Sequence, residues 1–125
     1  MFEITVANHI DSAHSLRGYQ GKCANIHGHT WRVEVTLKGE NLNGIGLLVD
    51  FSEVKKIVRE VTEAFDHKLI NDIEPFDRVN PSSENLARYV YDEIKKRLSS
   101  NEGVSIVRVL VSESRDTSAA YYEVL

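Results

Sequence analysis

The run Trp31-Arg32-Val33-Glu34-Val35-Thr36-Leu37-Lys38 places apolar side chains at 31, 33, 35 and 37 and polar ones at 32, 34, 36 and 38. A strict period of two marks a strand with one face buried and the other in water. Toward the N-terminus, Phe2, Ile4 and Val6 alternate with Glu3 and Thr5, so residues 2–7 read as a second half-buried strand. Residues 8–28 carry three glycines and no period, and read as a strand end followed by a long loop. Beyond the first run, Gly39 to Gly44 is a turn region and Leu47-Leu48-Val49 a short strand.

Asp50, with Glu53 three residues on, matches a capping box. Val54, Ile57, Val58, Val61, Ala64 and Phe65 then recur at helical spacing. Pro81-Ser82-Ser83-Glu84 opens a second helix whose stripe is Leu86, Ala87, Val90, Tyr91, Ile94 and Leu98. Lys95, Lys96 and Arg97 fall in its last turn, where cations suit the helix dipole; such a run usually reads as a solvated face. Residues 104–111 are aliphatic except Ser105 and Arg108, and 119–124 read as a final short strand. Strands flanking a helix pair predict an α+β fold, an antiparallel sheet with two helices on one face. Apolar residues on both faces of the 104–111 strand call for a second cover, which oligomerisation would supply.

The chain has 125 residues, a length suited to a single domain spanning 1–125. Its hydrophobic fraction of 42% and charged fraction of 27% exclude a disordered chain. A net charge of −4 gives nucleic-acid binding no electrostatic basis. One cysteine excludes an internal disulfide framework. No segment approaches the roughly 18 apolar residues of a membrane span, and residues 1–6 lack a signal-peptide pattern, so a cytoplasmic location is expected.

Three of the five histidines, His14, His27 and His29, fall within sixteen residues together with Cys23. His27 and His29 lead into the strand and point to one side of extended backbone. Gly28 between them leaves room for close approach. His14 comes alongside if the two strands pair. Three imidazoles on a tetrahedral ion leave one position open, the pattern of a catalytic zinc. Cys23 could close that position and make the site structural. With Lys22 beside it, a thiolate base is the favoured alternative. A His-x-His pair alone is more often a surface or core pair; His14 and Cys23 are what raise the metal reading. His9 reads as an ordinary strand-end residue. Asp66-His67 has the makings of a general acid–base pair, though from the dipeptide alone a helix C-cap is the commoner meaning. Glu113, at the end of an apolar strand, could accept two hydrogen bonds from a guanidine-like heterocycle edge, though a solvated strand-end acid is commoner.

Taken in order, Asp11-Ser12-Ala13-His14, Gly21-Lys22-Cys23-Ala24-Asn25-Ile26-His27-Gly28-His29, Gly46-Leu47-Leu48-Val49-Asp50-Phe51, Phe65-Asp66-His67, Asn80-Pro81-Ser82-Ser83-Glu84 and Ser112-Glu113-Ser114 resemble the 6-pyruvoyl-tetrahydropterin synthase superfamily across nearly the whole chain. Three residues separate Cys23 from His27, the spacing typical of its 6-carboxy-5,6,7,8-tetrahydropterin synthase branch; the pyruvoyl enzymes typically have a longer gap. The resemblance implies zinc on His14, His27 and His29, Cys23 as general base, and Asp66 and His67 as acid–base partners. It gives Glu113 to the 2-amino and N3 edge of a pterin and places Ser82, Ser83 and Glu84 along the pocket. Ser82 stands where threonine is usual, and the hydroxyl survives. Arg17 and Lys22 are the nearest candidates for a triphosphate, or else solvated loop charges.

The fold implied is the tunnelling fold, in which subunits pool their sheets into a β-barrel. Commonly two trimers stack into a hexamer, and sites lie at subunit interfaces. The activity implied is that of a lyase turning 7,8-dihydroneopterin triphosphate into 6-carboxy-5,6,7,8-tetrahydropterin, acetaldehyde and triphosphate, on the route to 7-deazaguanine bases such as queuosine. Neither nucleic acid nor membrane is an expected partner. A pyruvoyl-tetrahydropterin synthase and a non-catalytic zinc-dependent assembly module are the alternatives.

Overall fold

Two long strands, β1 (Phe2–His14) and β2 (His27–Gly39), pair antiparallel along their whole length. They are followed by helices α1 (Phe51–Thr62) and α2 (Ser83–Leu98), then β3 (Val104–Ser112) and β4 (Ser118–Tyr121). This is a computed structural model describing residues 1–98 and 103–124. The four strands form one antiparallel sheet in the order β1-β2-β3-β4.

The alternation in the sequence becomes the two faces of this sheet. Val6 and Ile10 of β1, Trp31, Val33, Val35 and Leu37 of β2, and Ile106, Val109 and Val111 of β3 are buried. They form one core with Val54, Val58 and Val61 of α1 and Leu86, Ala87, Val90, Tyr91, Ile94 and Leu98 of α2. Both helices therefore cover one face. Each fully buried aliphatic side chain contributes about 1.5–3 kcal/mol relative to exposure. A register shift between Thr36 and Leu37 leaves Val107 of β3 as an extra residue, a bulge that bends β3 locally. Buried Thr36 meets Thr5 through their hydroxyls at 3.0 Å.

Several sequence expectations shift. β1 runs on to His14 instead of ending near residue 7, because residues 8–14 pair with 27–33 and pairing needs no apolar alternation. His9 is consequently mid-strand, exposed and opposite Arg32. Residues 47–49 form no strand; they lie as a half-buried segment whose Leu48 side chain packs over the end of β2. Asp50 does cap α1, but its carboxylate accepts from the backbone N–H and hydroxyl of Ser52, not from Glu53. Those bonds hold its carboxyl below the ordinary range. α1 ends at Thr62; in the tighter turn Glu63–Phe65 that follows, Phe65 is buried in the core as the stripe predicts, and Ala64 is exposed. β4 ends at Tyr121, short of 124. The last turn of α2 is ion-paired: Lys95 Nζ reaches Glu123 at 2.8 Å, and Arg97 reaches Glu93 at 2.9 Å. On the face away from the helices, Leu110 of β3 is only half-buried, as the apolar pattern on both sides predicts, while half-buried Val107 lines a groove with Tyr91 and Leu98 of α2.

Candidate functional site

The register of the first hairpin sets Ile10 opposite Trp31, Ser12 opposite His29 and His14 opposite His27. His14 shares the parity of Val6 and Ile10, and His27 and His29 share that of Trp31 and Val33. The buried stripe of the hairpin thus ends in three imidazoles. Their ring centroids stand 4.6 Å (His14–His27), 4.8 Å (His27–His29) and 5.3 Å (His14–His29) apart. One nitrogen of each lies within 4.8 Å of the other two. Trp31 closes the cluster edge-on, 4.8 Å from His14 and 5.1 Å from His29, and its indole N–H donates to the Ser12 carbonyl at 3.2 Å.

Carbonyl groups fix two of the rings. His14 Nδ1 is 2.6 Å from the Pro81 oxygen, and His27 Nδ1 is 2.7 Å from the Asn25 oxygen. A carbonyl only accepts, so each Nδ1 carries its hydrogen and each Nε2 offers a lone pair. His14 Nε2 and His29 Nε2 are buried with no hydrogen-bond partner among the described residues. Burial pushes the pKa of both rings below 6.5, outweighing the Pro81 hydrogen bond at His14 and the Glu113 charge at both. Neutral rings with converging, orphaned lone pairs and outer carbonyl partners are what a divalent ion requires of histidine ligands. The residues present therefore fit a metal. Glu113, just past β3, accepts from the Ser83 hydroxyl at 3.0 Å and faces the triad.

A second cluster joins Asp11, Asp66 and His67. Residues 66–69 run along the free edge of β1. The Asp11 N–H donates to Asp66 Oδ1 at 2.9 Å, His67 N–H to the Asp11 carbonyl at 2.6 Å, and Ala13 N–H to the Lys68 carbonyl at 3.0 Å. The Asp11 N–H is the largest cause holding the Asp66 carboxyl below its ordinary range, with His67 adding to it. His67 Nδ1 sits 3.0 Å from Asp66 Oδ1, and the ring stands exposed on a left-handed backbone (φ 58°). Asp66 does cap the short turn Glu63–Phe65, its backbone N–H donating to the Glu63 carbonyl at 3.2 Å, while its carboxylate turns to Asp11 and His67. An open hollow of about 530 Å³ is lined by both His29 and His67.

Cys23 is half-buried in a short turn, Lys22–Ala24, tied to β1's exit by the Leu16 N–H to Cys23 carbonyl bond at 2.9 Å. The three-imidazole cluster does not include it. Arg17 is exposed, and its guanidinium donates to the Phe76 carbonyl at 2.7 Å and to the Val79 and Asn71 carbonyls at 3.4 Å, which ties it to the 71–79 segment. Ser82 caps α2, its hydroxyl accepting from the Asn85 N–H at 3.2 Å. Ser83 is the member of its segment that touches Glu113, and Glu84 is exposed in the first turn. Asp11 heads the Asp11-Ser12-Ala13-His14 motif, but sequence reasoning gave it no role. Its signal was strand parity: an acid opposite Thr30, whose hydroxyl donates to Asp11 Oδ1 at 2.6 Å.

A four-stranded antiparallel sheet backed by two helices, with a three-histidine centre at the sheet's end, defines the class as tunnelling-fold proteins. The family model for 6-pyruvoyl tetrahydropterin synthase matches residues 3–124. A 6-carboxy-5,6,7,8-tetrahydropterin synthase of Bacillus subtilis is 36% identical across 96% of this chain and 84% of its own. Another from Haemophilus influenzae is 28% identical across 98% of this chain and all of its own. The solved 6-pyruvoyl tetrahydropterin synthase of Caenorhabditis elegans superposes with a TM-score of 0.86 at 25% identity, covering 98% of this chain and 96% of the other. The chain belongs to the 6-pyruvoyl tetrahydropterin synthase family.

Proposed function

We propose that this chain, as one pterin-processing domain, is a zinc-dependent 6-carboxy-5,6,7,8-tetrahydropterin synthase acting on 7,8-dihydroneopterin triphosphate. It releases acetaldehyde and triphosphate and supplies 7-deazaguanine synthesis in the cytoplasm. The observation that carries the reading is the convergence of one nitrogen each from His14, His27 and His29, with those of His14 and His29 buried and unpartnered among the described residues. These three residues would hold zinc, which when bound supplies Lewis-acid polarisation of a side-chain oxygen and so acidifies the neighbouring C–H. Cys23, outside the ligand set, serves as the base that takes a side-chain proton. Asp66 orients His67 through Nδ1, leaving Nε2 turned out to exchange a proton with the substrate. Glu113, steadied by Ser83, is suited to gripping the amino-pyrimidine edge of the pterin. The metal centre and the Asp66–His67 pair form two separate clusters within one protomer. A site shared between copies, in a barrel of three subunits stacked as a hexamer, would combine them.

Incubating the zinc-loaded protein with dihydroneopterin triphosphate and identifying the pterin by mass tests the reading. The 6-carboxy product is expected, and Cys23→Ala should abolish turnover while keeping its zinc. A pyruvoyl product would move the chain to the sister activity, which the family model and the nematode structure also bear. Full zinc occupancy without conversion would leave an assembly module.

A further inference from the structure

Glu113 stands closer to the histidine nitrogens than a pterin anchor needs to. Its Oε1 accepts from the Ser83 hydroxyl at 3.0 Å and lies 4.0 Å from His14 Nε2; its Oε2 lies 3.7 Å from His29 Nε2. Neither gap is a hydrogen bond. With His14 Nδ1 turned to Pro81, its Nε2 directs a lone pair at carboxylate oxygens, which are acceptors as well. Facing acceptors repel unless a cation lies between them. Two ligands on one tetrahedral zinc, each about 2.0–2.2 Å from it, stand roughly 3.3–3.6 Å apart. A movement of a few tenths of an ångström brings Oε2 to that spacing from His29; Glu113 stands outside the group of nitrogens that lie within 4.8 Å of one another, so closing the set onto His27 takes a further swing of its side chain.

We infer that, while no substrate is bound, Glu113 closes the metal centre as its fourth protein ligand, and that the pterin draws it away. This rests on the zinc-enzyme reading above. The edge of a pterin that a carboxylate recognises lies across the whole bicyclic ring from the C6 side chain that the metal must reach. One carboxylate cannot hold that edge while lying against the metal ligands. Glu113 is thus a switch: closed coordination in the empty enzyme, an open position once the substrate's own amino-pyrimidine has captured the carboxylate. The Ser83 hydroxyl, on buried α2 backbone, is the pivot it leans on.

The test uses the full chain loaded with Zn²⁺ or Co²⁺ in the absence of triphosphate substrate. Glu113→Gln keeps the shape and removes the charge; Glu113→Asp keeps the charge and shortens the reach. Both should weaken Zn²⁺, measured against a chromophoric chelator, by at least about tenfold, the lower end of what losing an outer-shell partner costs. Both should also change the visible absorption of the Co²⁺ form. Adding 7,8-dihydroneopterin to the Co²⁺ wild type should move its spectrum toward that of Glu113→Gln. Variants that bind Zn²⁺ within twofold of wild type with superimposable Co²⁺ spectra overturn the inference, and so does full affinity in Glu113→Asp. A wild-type chain that takes up no zinc would instead sink the zinc-enzyme reading itself.

Discussion

His14 and His29 illustrate how burial prepares a side chain for one chemical state. Desolvation is the largest influence on each and keeps both rings neutral where a solvent-exposed histidine would begin to charge. In the unfolded chain both titrate near 6.5. Between that value and the lower native ones, the unfolded chain binds more protons, so stability increases with pH in that window. The metal-free protein should therefore keep its full stability above about pH 7 and lose it as the pH falls through 6.5 toward the native values. Urea midpoints in chelator, from about pH 8 down to about pH 5, check this; a flat profile would mean the rings are solvated after all. The imidazoles themselves were legible in the sequence as a concentrated motif. Their carbonyl partners at Pro81 and Asn25 were not, because a backbone oxygen has no residue identity to read.

Segments 39–50 and 65–69 show how an element can be read correctly and placed wrongly. Leu47-Leu48-Val49 has strand composition, yet it pairs with no strand; Leu48 packs instead on the end of β2. Gly39 makes that packing possible. A Cβ there would fall 2.6 Å from Leu48 Cδ1 and 2.7 Å from the Gly103 carbonyl oxygen. The leucine can swing aside, but the backbone oxygen cannot do so without moving the start of β3. Overpacking of this kind costs about 1–3 kcal/mol. Gly39→Ala should lower the urea midpoint accordingly and leave zinc stoichiometry unchanged; an unaltered midpoint would show that the β2–β3 end yields freely. Asp66-His67 likewise had the right chemistry in the sequence. What holds it is the edge of β1, whose extension to His14 the missing alternation concealed.

The protomer by itself exposes 7769 Å², against roughly 6,800 Å² expected for a folded chain of its mass. The excess accompanies an outer sheet face carrying half-buried Leu110, and a groove lined by Tyr91, Leu98, Val104, Ile106, Val107 and Tyr122. Among the described residues, β4 pairs only with Val109–Ser112, which leaves the first half of β3 without a neighbour on that side. These features support the proposed assembly. Sedimentation at micromolar concentration should give a multiple of three protomers, and a monomer there would refute the shared-site reading. The sequence by itself determined the α+β class, the buried stripe of each strand and helix, and the residue types of the metal centre. These follow from side-chain period and chemistry, which are local properties. Only the tertiary structure decided that Cys23 stands apart from the triad, that Arg17 is bound up with carbonyls, that Glu113 faces the histidines, and that Asp11 joins Asp66 and His67. Those relations join residues far apart in the chain, and they depend on register and loop path, which no local pattern encodes.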